Sequence, residues 1–70
     1  MRIDILKKGD HVINVTKEFI AVQRKNGEVD IVPIIMDGAT VRIDTENIIT
    51  IGFGEYVVQT QVGNVTVSNF

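Results

Sequence analysis

Residues branched at Cβ dominate this sequence and restrict what it can fold into. Val, Ile and Thr account for 28 of its 70 residues, whereas Leu occurs once and Ala twice. Branching at Cβ restricts χ1 and suits a pleated sheet, while a helical core depends on Leu and Ala. The sequence therefore predicts one all-β domain over residues 1–70, a small antiparallel barrel or two-layer sandwich of six to seven short strands.

Polar and glycine-containing turns separate the β-branched segments. The candidate strand segments cover residues 2–6, 11–16, 18–24, 29–35, 40–43, 48–51, 56–62 and 65–69. Two of the turns, Asn26-Gly27 and Gly63-Asn64, are typical of two-residue β-hairpin loops. Each of these dipeptides predicts the register of the two strands beside it.

The Asn26-Gly27 loop predicts which residues of the first hairpin face each other. A type I′ loop at these two residues places Val22 opposite Ile31 and Ile20 opposite Pro33. This register puts Ile20, Val22, Val29, Ile31 and Ile35 on one face, and Phe19, Ala21, Val32 and Ile34 on the other. A hairpin base that is apolar on both faces needs cover from two sides. We therefore expect either a sheet edge or this second group of residues to contact another copy of the chain.

Pro33 limits the pairing of the strand that contains it. In the predicted register its backbone nitrogen points away from strand 18–24, and proline has no N–H to offer a further neighbour. We therefore expect strand 29–35 to be an edge, or to be bulged, at this residue.

The second hairpin alternates apolar and uncharged polar residues. With Gly63-Asn64 as its loop, Val62 faces Val65 and Thr60 faces Val67. One predicted face carries Val58, Thr60, Val62, Val65 and Val67, and the other carries Gln59, Gln61, Thr66 and Ser68. This pattern is typical of a ribbon with one face on the core and the other in solvent.

Residue types that catalyse reactions or bind metals are sparse. The chain has no cysteine, one histidine (His11) and one serine (Ser68), so a zinc site or a Ser–His–Asp triad would need distant partners. The segment 44–47 lacks the spacing of a calcium loop and is interpreted as a turn in which Asp44 or Thr45 binds a backbone N–H. We predict no catalytic, cofactor-binding or metal-binding residue, and no enzyme.

Gly52-Phe53-Gly54 interrupts the strand pattern with an aromatic residue between two glycines. One interpretation is that Phe53 is held out on flexible glycines to meet a partner, which makes it an interface candidate. The other, which we favour, is a bulge or corner that turns Phe53 into the core. The exposure of Phe53 distinguishes the two interpretations.

The charge of the chain argues against nucleic acid as its partner. Charged residues make up 23% of the sequence, and the formal net charge at pH 7 is −2. A nucleic-acid groove combines clustered positive charge with aromatic residues for stacking. The three Phe and one Tyr are not interleaved with the lysines, so we expect a protein partner instead.

Two segments resemble strands of the tryptophan-activated RNA-binding attenuation proteins, a family of all-β chains of similar length that assemble rings. They are Lys25-Asn26-Gly27-Glu28-Val29 and Tyr56-Val57-Val58-Gln59-Thr60. The resemblance implies an all-β fold and self-association. The RNA-contacting pattern of that family, basic-x-basic-Gly, corresponds here to Thr50-Ile51-Gly52 without a basic residue. No binding residue is therefore transferred to this chain.

These features together predict a non-catalytic interaction or structural module that associates with itself, most simply as a dimer. The alternative is a regulatory β module that binds nucleic acid or another ligand. No cofactor is expected. The interface candidates are Phe19, Ala21, Val32, Ile34 and Phe53.

The location is expected to be cytoplasmic, without membrane contact. The segment 1–5 carries charges where a signal peptide needs an apolar run. The sequence also has no apolar stretch approaching the ~18 residues of a membrane-spanning helix.

Overall fold

The computed structural model describes residues 6–70 as an antiparallel β structure without helices. The strands are β1 His11–Val15, β2 Phe19–Gln23, β3 Val29–Asp37, β4 Thr40–Ile43, β5 Ile49–Ile51, β6 Gly54–Thr60 and β7 Gly63–Asn69. The all-β prediction is confirmed. The predicted strand over residues 2–6 lies, apart from Leu6, outside the described residues. Over residues 6–70, the chain contains no helix that is long and apolar enough to cross a membrane.

β3 is the centre of a five-stranded antiparallel sheet. β2 pairs with one side of β3, and β1 extends the sheet beyond β2. The other side of β3 is shared, because β5 pairs with residues 29–31 and β4 with residues 34–37. β6 and β7 form a separate two-stranded sheet, called the ribbon below. The pairings among the described strands do not close a barrel.

β3 changes partner at Pro33. On the side away from β2, the β5 ladder ends at Ile31 and the β4 ladder begins at Ile34. The carbonyl of Pro33 accepts a hydrogen bond from the Asp44 N–H at 3.0 Å, but its nitrogen has no hydrogen to return. The expected break in pairing at Pro33 is found, but β3 is not an edge strand there, because β5 and β4 lie on either side of the break. The residue opposite it on β2, however, is Phe19 and not Ile20.

The loop of the first hairpin contains three residues, Lys25-Asn26-Gly27, so the predicted two-residue loop is wrong. The Gly27 N–H donates to the Arg24 carbonyl at 3.0 Å, and the Arg24 N–H donates to the Glu28 carbonyl at 2.7 Å. Asn26 has a negative φ, which excludes a type I′ turn, while Gly27 has φ 91°. A turn closed by a left-handed glycine is the usual three-residue hairpin loop.

This loop shifts the register by one residue and changes the faces of the hairpin. Ala21 lies opposite Ile31, and Ile20 lies opposite Val32. Because successive side chains alternate between faces, a shift of one residue moves every β2 side chain to the other face relative to β3. Both faces are nevertheless buried, one through Phe19, Ala21, Val29 and Ile31, and the other through Ile20, Val22 and Val32.

The second hairpin is also registered differently from the prediction. Its loop is Gln61-Val62 instead of Gly63-Asn64, and it places Val58 opposite Val65 and Tyr56 opposite Val67. In an antiparallel ladder the two residue numbers of every pair have the same sum, which defines the register. That sum is 123 in the observed ladder and 127 in the predicted one. An even difference keeps the same side chains on each face. The inner face is therefore as predicted, except that Val62 lies in the loop and is exposed.

The main core lies between the five-stranded sheet and the ribbon. It consists of Phe19, Ala21, Val29, Ile31, Ile51 and Val67, with Val58 and Val65 packed against it. Only Val67 of the buried set comes from the ribbon, so the five-stranded sheet supplies most of the apolar surface.

The first hairpin loop generates a stability prediction. Gly27→Ala should lower the free energy of unfolding by about 1–2 kcal/mol, because a Cβ is unfavourable at positive φ. Steric overlap does not contribute, since nothing lies within 4 Å of the position that this Cβ would occupy. Gly52→Ala is the control, because Gly52 has equally open space without a positive φ. Urea denaturation measures both variants, and equal losses of stability would contradict the loop assignment.

Candidate functional site

The structure separates the five interface candidates into buried and exposed residues. Phe19, Ala21 and Val32 are covered within the single chain and offer no surface to a second copy. The expectation that they form the contact is therefore corrected. Ile34 is partly exposed, and Phe53 is largely exposed. In the observed register Phe19 and Ala21 face the ribbon, whereas Val32 is buried on the opposite face.

Phe53 does not turn into the core, so the favoured interpretation of Gly52-Phe53-Gly54 is wrong. The side chain is 77% exposed and packs edge-to-face against Phe70, with ring centroids 5.5 Å apart. The two residues follow on from the last ribbon pair, Gly54 with Asn69. Phe53 and Phe70 are thus a cross-strand aromatic pair at the open end of the ribbon.

The outer edges of the ribbon have few of the features that normally protect a sheet edge. Neither β6 nor β7 has a further strand partner among residues 6–70. Sheet edges are normally protected by charged side chains, prolines or bulges. The ribbon strands contain only one charged residue, Glu55 on β6, and no proline. No register shift interrupts their ladder.

An apolar groove lies beside the tip of the ribbon. It has a volume of about 670 Å³, and its apolar walls are formed by Ile34, Met36, Val62 and Val65. The Gln61 N–H donates to Glu18 Oε2 at 2.8 Å and fixes the tip against the β1–β2 connection. Ile34, an interface candidate, is thereby placed next to the exposed Val62.

Arg24 joins two carboxylates at the opposite end of the first hairpin. Its Nε lies 2.8 Å from Asp30 Oδ2, and a terminal nitrogen lies 2.8 Å from Asp10 Oδ2. Asp10 also accepts hydrogen bonds from the backbone N–H groups of Lys7 at 2.9 Å and Lys25 at 3.3 Å. Thr50 Oγ1 donates to Asp30 Oδ1 at 2.6 Å. The network connects a turn, a hairpin loop and two strands.

The network changes the acidity of its members. Hydrogen bonds from the Lys7 N–H and from Arg24 hold the pKa of Asp10 below its usual value. Burial raises the pKa of Asp30, but hydrogen bonds from Thr50 and Arg24 outweigh it and leave the pKa lowered. The bonds to Asp30 and Asp10 raise the pKa of Arg24. All three groups are therefore charged at neutral pH.

Asn69 is the buried polar residue of the described chain, and it holds the ribbon to the rest of the fold. Its Nδ2 donates to the Gly52 carbonyl at 2.7 Å and to the Gly27 carbonyl at 2.9 Å, with a longer contact of 3.4 Å to the Ile51 carbonyl. Its Oδ1 accepts from Gln23 Nε2 at 3.4 Å. Sequence reasoning did not identify this role, because the partners lie 17 to 46 residues away along the chain.

His11 and the segment 44–47 are further residues considered as catalytic or metal-binding candidates. His11 is the exposed first residue of β1. Asp44 Oδ1 accepts a hydrogen bond from the Glu46 N–H at 3.2 Å, which confirms the predicted turn. Within residues 6–70, no group of three or more His, Cys, Asp or Glu side chains is placed to hold a metal ion.

Comparison with known proteins gives no relative from which a function could be transferred. No family model matches the chain, and no curated protein or solved structure matches it significantly. The proposals below therefore rest on the geometry of the chain itself.

The buried amide of Asn69 generates a prediction. Asn69→Asp should destabilise the fold by about 2–4 kcal/mol at neutral pH, because a carboxylate would replace the N–H donor that faces backbone carbonyls. Asn64→Asp is the matched control on the same strand, since Asn64 is exposed, and should change stability by about 0.5 kcal/mol or less. Urea denaturation gives both values. The assigned role is wrong if the two variants unfold at the same urea concentration.

The Arg24 network predicts a loss of stability in acid. A carboxyl whose pKa is lower in the folded than in the unfolded state stabilises the fold above its unfolded pKa and stops doing so as the pH falls through the folded pKa. For Asp10 and Asp30 that loss begins as the pH falls to about 3.9, the ordinary pKa of an aspartate in an unfolded chain, and continues below it because both folded-state pKa values are lowered. Asp10→Asn should lower the melting temperature at neutral pH and make the acid decline less steep.

The control for this measurement is Asp37→Asn, because Asp37 is an exposed carboxylate with no ion pair in the described structure. Thermal unfolding followed by circular dichroism from about pH 6 to about pH 2 gives the slopes. The network contributes nothing to stability if Asp10→Asn and wild type have parallel curves.

Proposed function

We propose that this chain is a non-catalytic, cytoplasmic two-layer β module that associates with a second copy of itself through β7. The observation that carries the proposal is the unprotected outer edge of β7. The sequence of that strand, GNVTVSN, has neither charge nor proline, and its outer side has no partner strand among the described residues. Such an edge is a template for pairing with another strand.

The ladder register indicates which backbone groups of β7 are available. Thr60 and Gly63 close the two-residue loop, so they form a hydrogen-bonded pair, and the bonding alternates along the ribbon. The N–H and C=O groups of Asn64, Thr66 and Ser68 therefore point outward. Their side chains are exposed as well.

The edge of β7 is complementary to itself under two-fold symmetry. Antiparallel pairing centred on Thr66 places Asn64 of one copy opposite Ser68 of the other, and Thr66 opposite Thr66. No like charges meet, and Thr–Thr is a favourable cross-strand pair. On the inner face, Val65 of one copy lies beside Val67 of the other. The equivalent pairing through β6 involves Glu55, which makes β7 the better edge.

Magnitudes indicate a weak dimer. Three hydrogen-bonded pairs exchange about six bonds, which at ~0.5–1.5 kcal/mol each yield roughly 3–9 kcal/mol. Association costs of about 4–15 kcal/mol oppose this gain. Dimerisation should therefore depend on protein concentration and on the apolar side chains that the contact also covers.

Charge reversal at Thr66 tests the proposal. Thr66→Lys and Thr66→Glu should each be monomeric, because the two-fold axis brings identical charges together, and an equimolar mixture should recover the dimer. Val57→Lys is the matched control, since Val57 lies opposite Thr66 on β6 and away from the proposed contact. Sedimentation equilibrium over about 5–300 µM measures the association.

Three results would overturn the proposal. A wild type that remains monomeric up to about 300 µM rules out self-association at relevant strength. A monomeric Val57→Lys variant beside a dimeric Thr66→Lys variant moves the contact to β6. Failure of the mixture to dimerise, while both single variants melt like wild type, shows that the Thr66 residues do not meet.

A further inference from the structure

Two turns meet at the end of the first hairpin and bring basic side chains together. One is the turn Lys7–Asp10, closed by a hydrogen bond from the Asp10 N–H to the Lys7 carbonyl at 3.0 Å. The other is the loop of the first hairpin. Lys7, Lys8, Arg24 and Lys25, called the cation cluster here, line one open pocket of about 470 Å³. The cluster contains four of the seven basic residues of the chain.

The two turns are held in fixed positions relative to each other. The Asp10 side chain is only 4% exposed and bonds to Arg24 and to the Lys25 N–H. Gly9 lies so close to the Lys25 stem that a Cβ at residue 9 would approach it to 3.2 Å. Lys25 is thereby anchored beside the turn that carries Lys7 and Lys8.

Both carboxylates of the pocket are paired with Arg24, so the lysines have no carboxylate partner in the pocket. Asp10 and Asp30 both bond to the Arg24 guanidinium. Glu28, the next carboxylate along the hairpin, accepts a hydrogen bond from Asn26 Nδ2 at 2.8 Å. In the described part of the chain, no carboxylate lies within ion-pair distance of Lys7, Lys8 or Lys25. The lining residues carry four positive and two negative charges, a net charge of +2 in a chain of net charge −2.

We propose that the cation cluster is a binding site for the phosphate group of a small molecule. Lysine ammonium groups on flexible stems bind phosphate as point charges. Three of them lie on two anchored turns, and the net charge of +2 on the lining residues matches in magnitude that of a phosphate dianion. The pocket volume lies in the range of small-ligand sites. Arg24 acts as a positioning residue, because its bonds to Asp10 and Asp30 fix the turns and occupy the carboxylates that would otherwise bind the lysines.

A titration of the ¹⁵N-labelled chain with inorganic phosphate, at constant ionic strength, tests the site. Amide shifts should saturate and be confined to residues 7–10 and 24–27. The same titration with a hexose monophosphate identifies the source of the phosphate. Tighter binding than inorganic phosphate indicates a phosphate monoester, and equal binding indicates the free anion.

Two double variants with the same net charge provide the control. Lys8→Gln/Lys25→Gln should weaken phosphate binding about tenfold or more. Lys17→Gln/Arg42→Gln removes two positive charges outside the pocket and should leave binding unchanged. Circular dichroism melting confirms that both variants are folded.

Other outcomes would overturn the proposal. Equal weakening in both double variants shows a general electrostatic effect and no site. Shifts that spread over the sheet without saturation show the same. Saturable binding of a single-stranded oligonucleotide without saturable binding of phosphate assigns the cluster to nucleic acid instead.

Discussion

The β2–β3 hairpin is buried on both of its faces, and the positions of the other strands follow from this. It supplies seven of the nine buried hydrophobic residues in the described chain: Phe19, Ile20, Ala21, Val22, Val29, Ile31 and Val32. A chain of this length buries only about 60% of the surface that its unfolded form exposes. The other strands therefore keep much of their apolar surface exposed, as at Val12, Val15 and Val57. Among the described strands, β1, β4, β5 and both ribbon strands are edges.

The ribbon illustrates how polar contacts compensate for a small core. An isolated two-stranded hairpin is marginal in water, and Val67 is the one ribbon hydrophobic within the buried core cluster. Hydrogen bonds therefore hold the ribbon at both ends. Asn69 binds the carbonyls of Gly27 and Gly52 at the open end, and the Gln61 N–H binds Glu18 at the tip. The edges between these two contacts remain unoccupied in the described chain.

The sequence predicts the elements much better than their register. β4 matches its predicted bounds, and every other described strand lies within a few residues of a predicted one, because β-branched segments between turn residues specify strands locally. The register of the first hairpin is not specified by its turn residues alone. Asn-Gly is compatible with a two-residue or a three-residue loop. Only the observed register puts Arg24 and Asp30 on the same face as diagonal neighbours, where they form their ion pair.

The same limit applies to the candidate surfaces. Phe53 is exposed because it continues the outer face of the β6–β7 ladder, which begins at Gly54 and not at the predicted residue 56. The sequence shows that basic residues lie close to acidic ones. It does not show that Lys8 lies near Lys25, because the two turns are held together by the hydrogen bonds from Arg24 and the Lys25 N–H to Asp10. Sequence reasoning can thus identify a neutral strand or a basic turn. It cannot identify which turns meet, since that depends on contacts between residues far apart in the chain.

Asn69 connects the two proposed binding surfaces physically. It ends β7, the strand proposed to pair with a second copy, and its Nδ2 holds the Gly27 carbonyl, in the loop that carries Lys25. Charge is divided between these regions. All seven basic residues lie at or before Arg42, whereas β7 has no charge at all. The neutral edge of β7 can approach its own copy without charge repulsion. The basic turns, one of which contains the Gly27 carbonyl that Asn69 binds, attract an anion. The Asn69 amide thereby positions a neutral surface and a basic surface in one small fold.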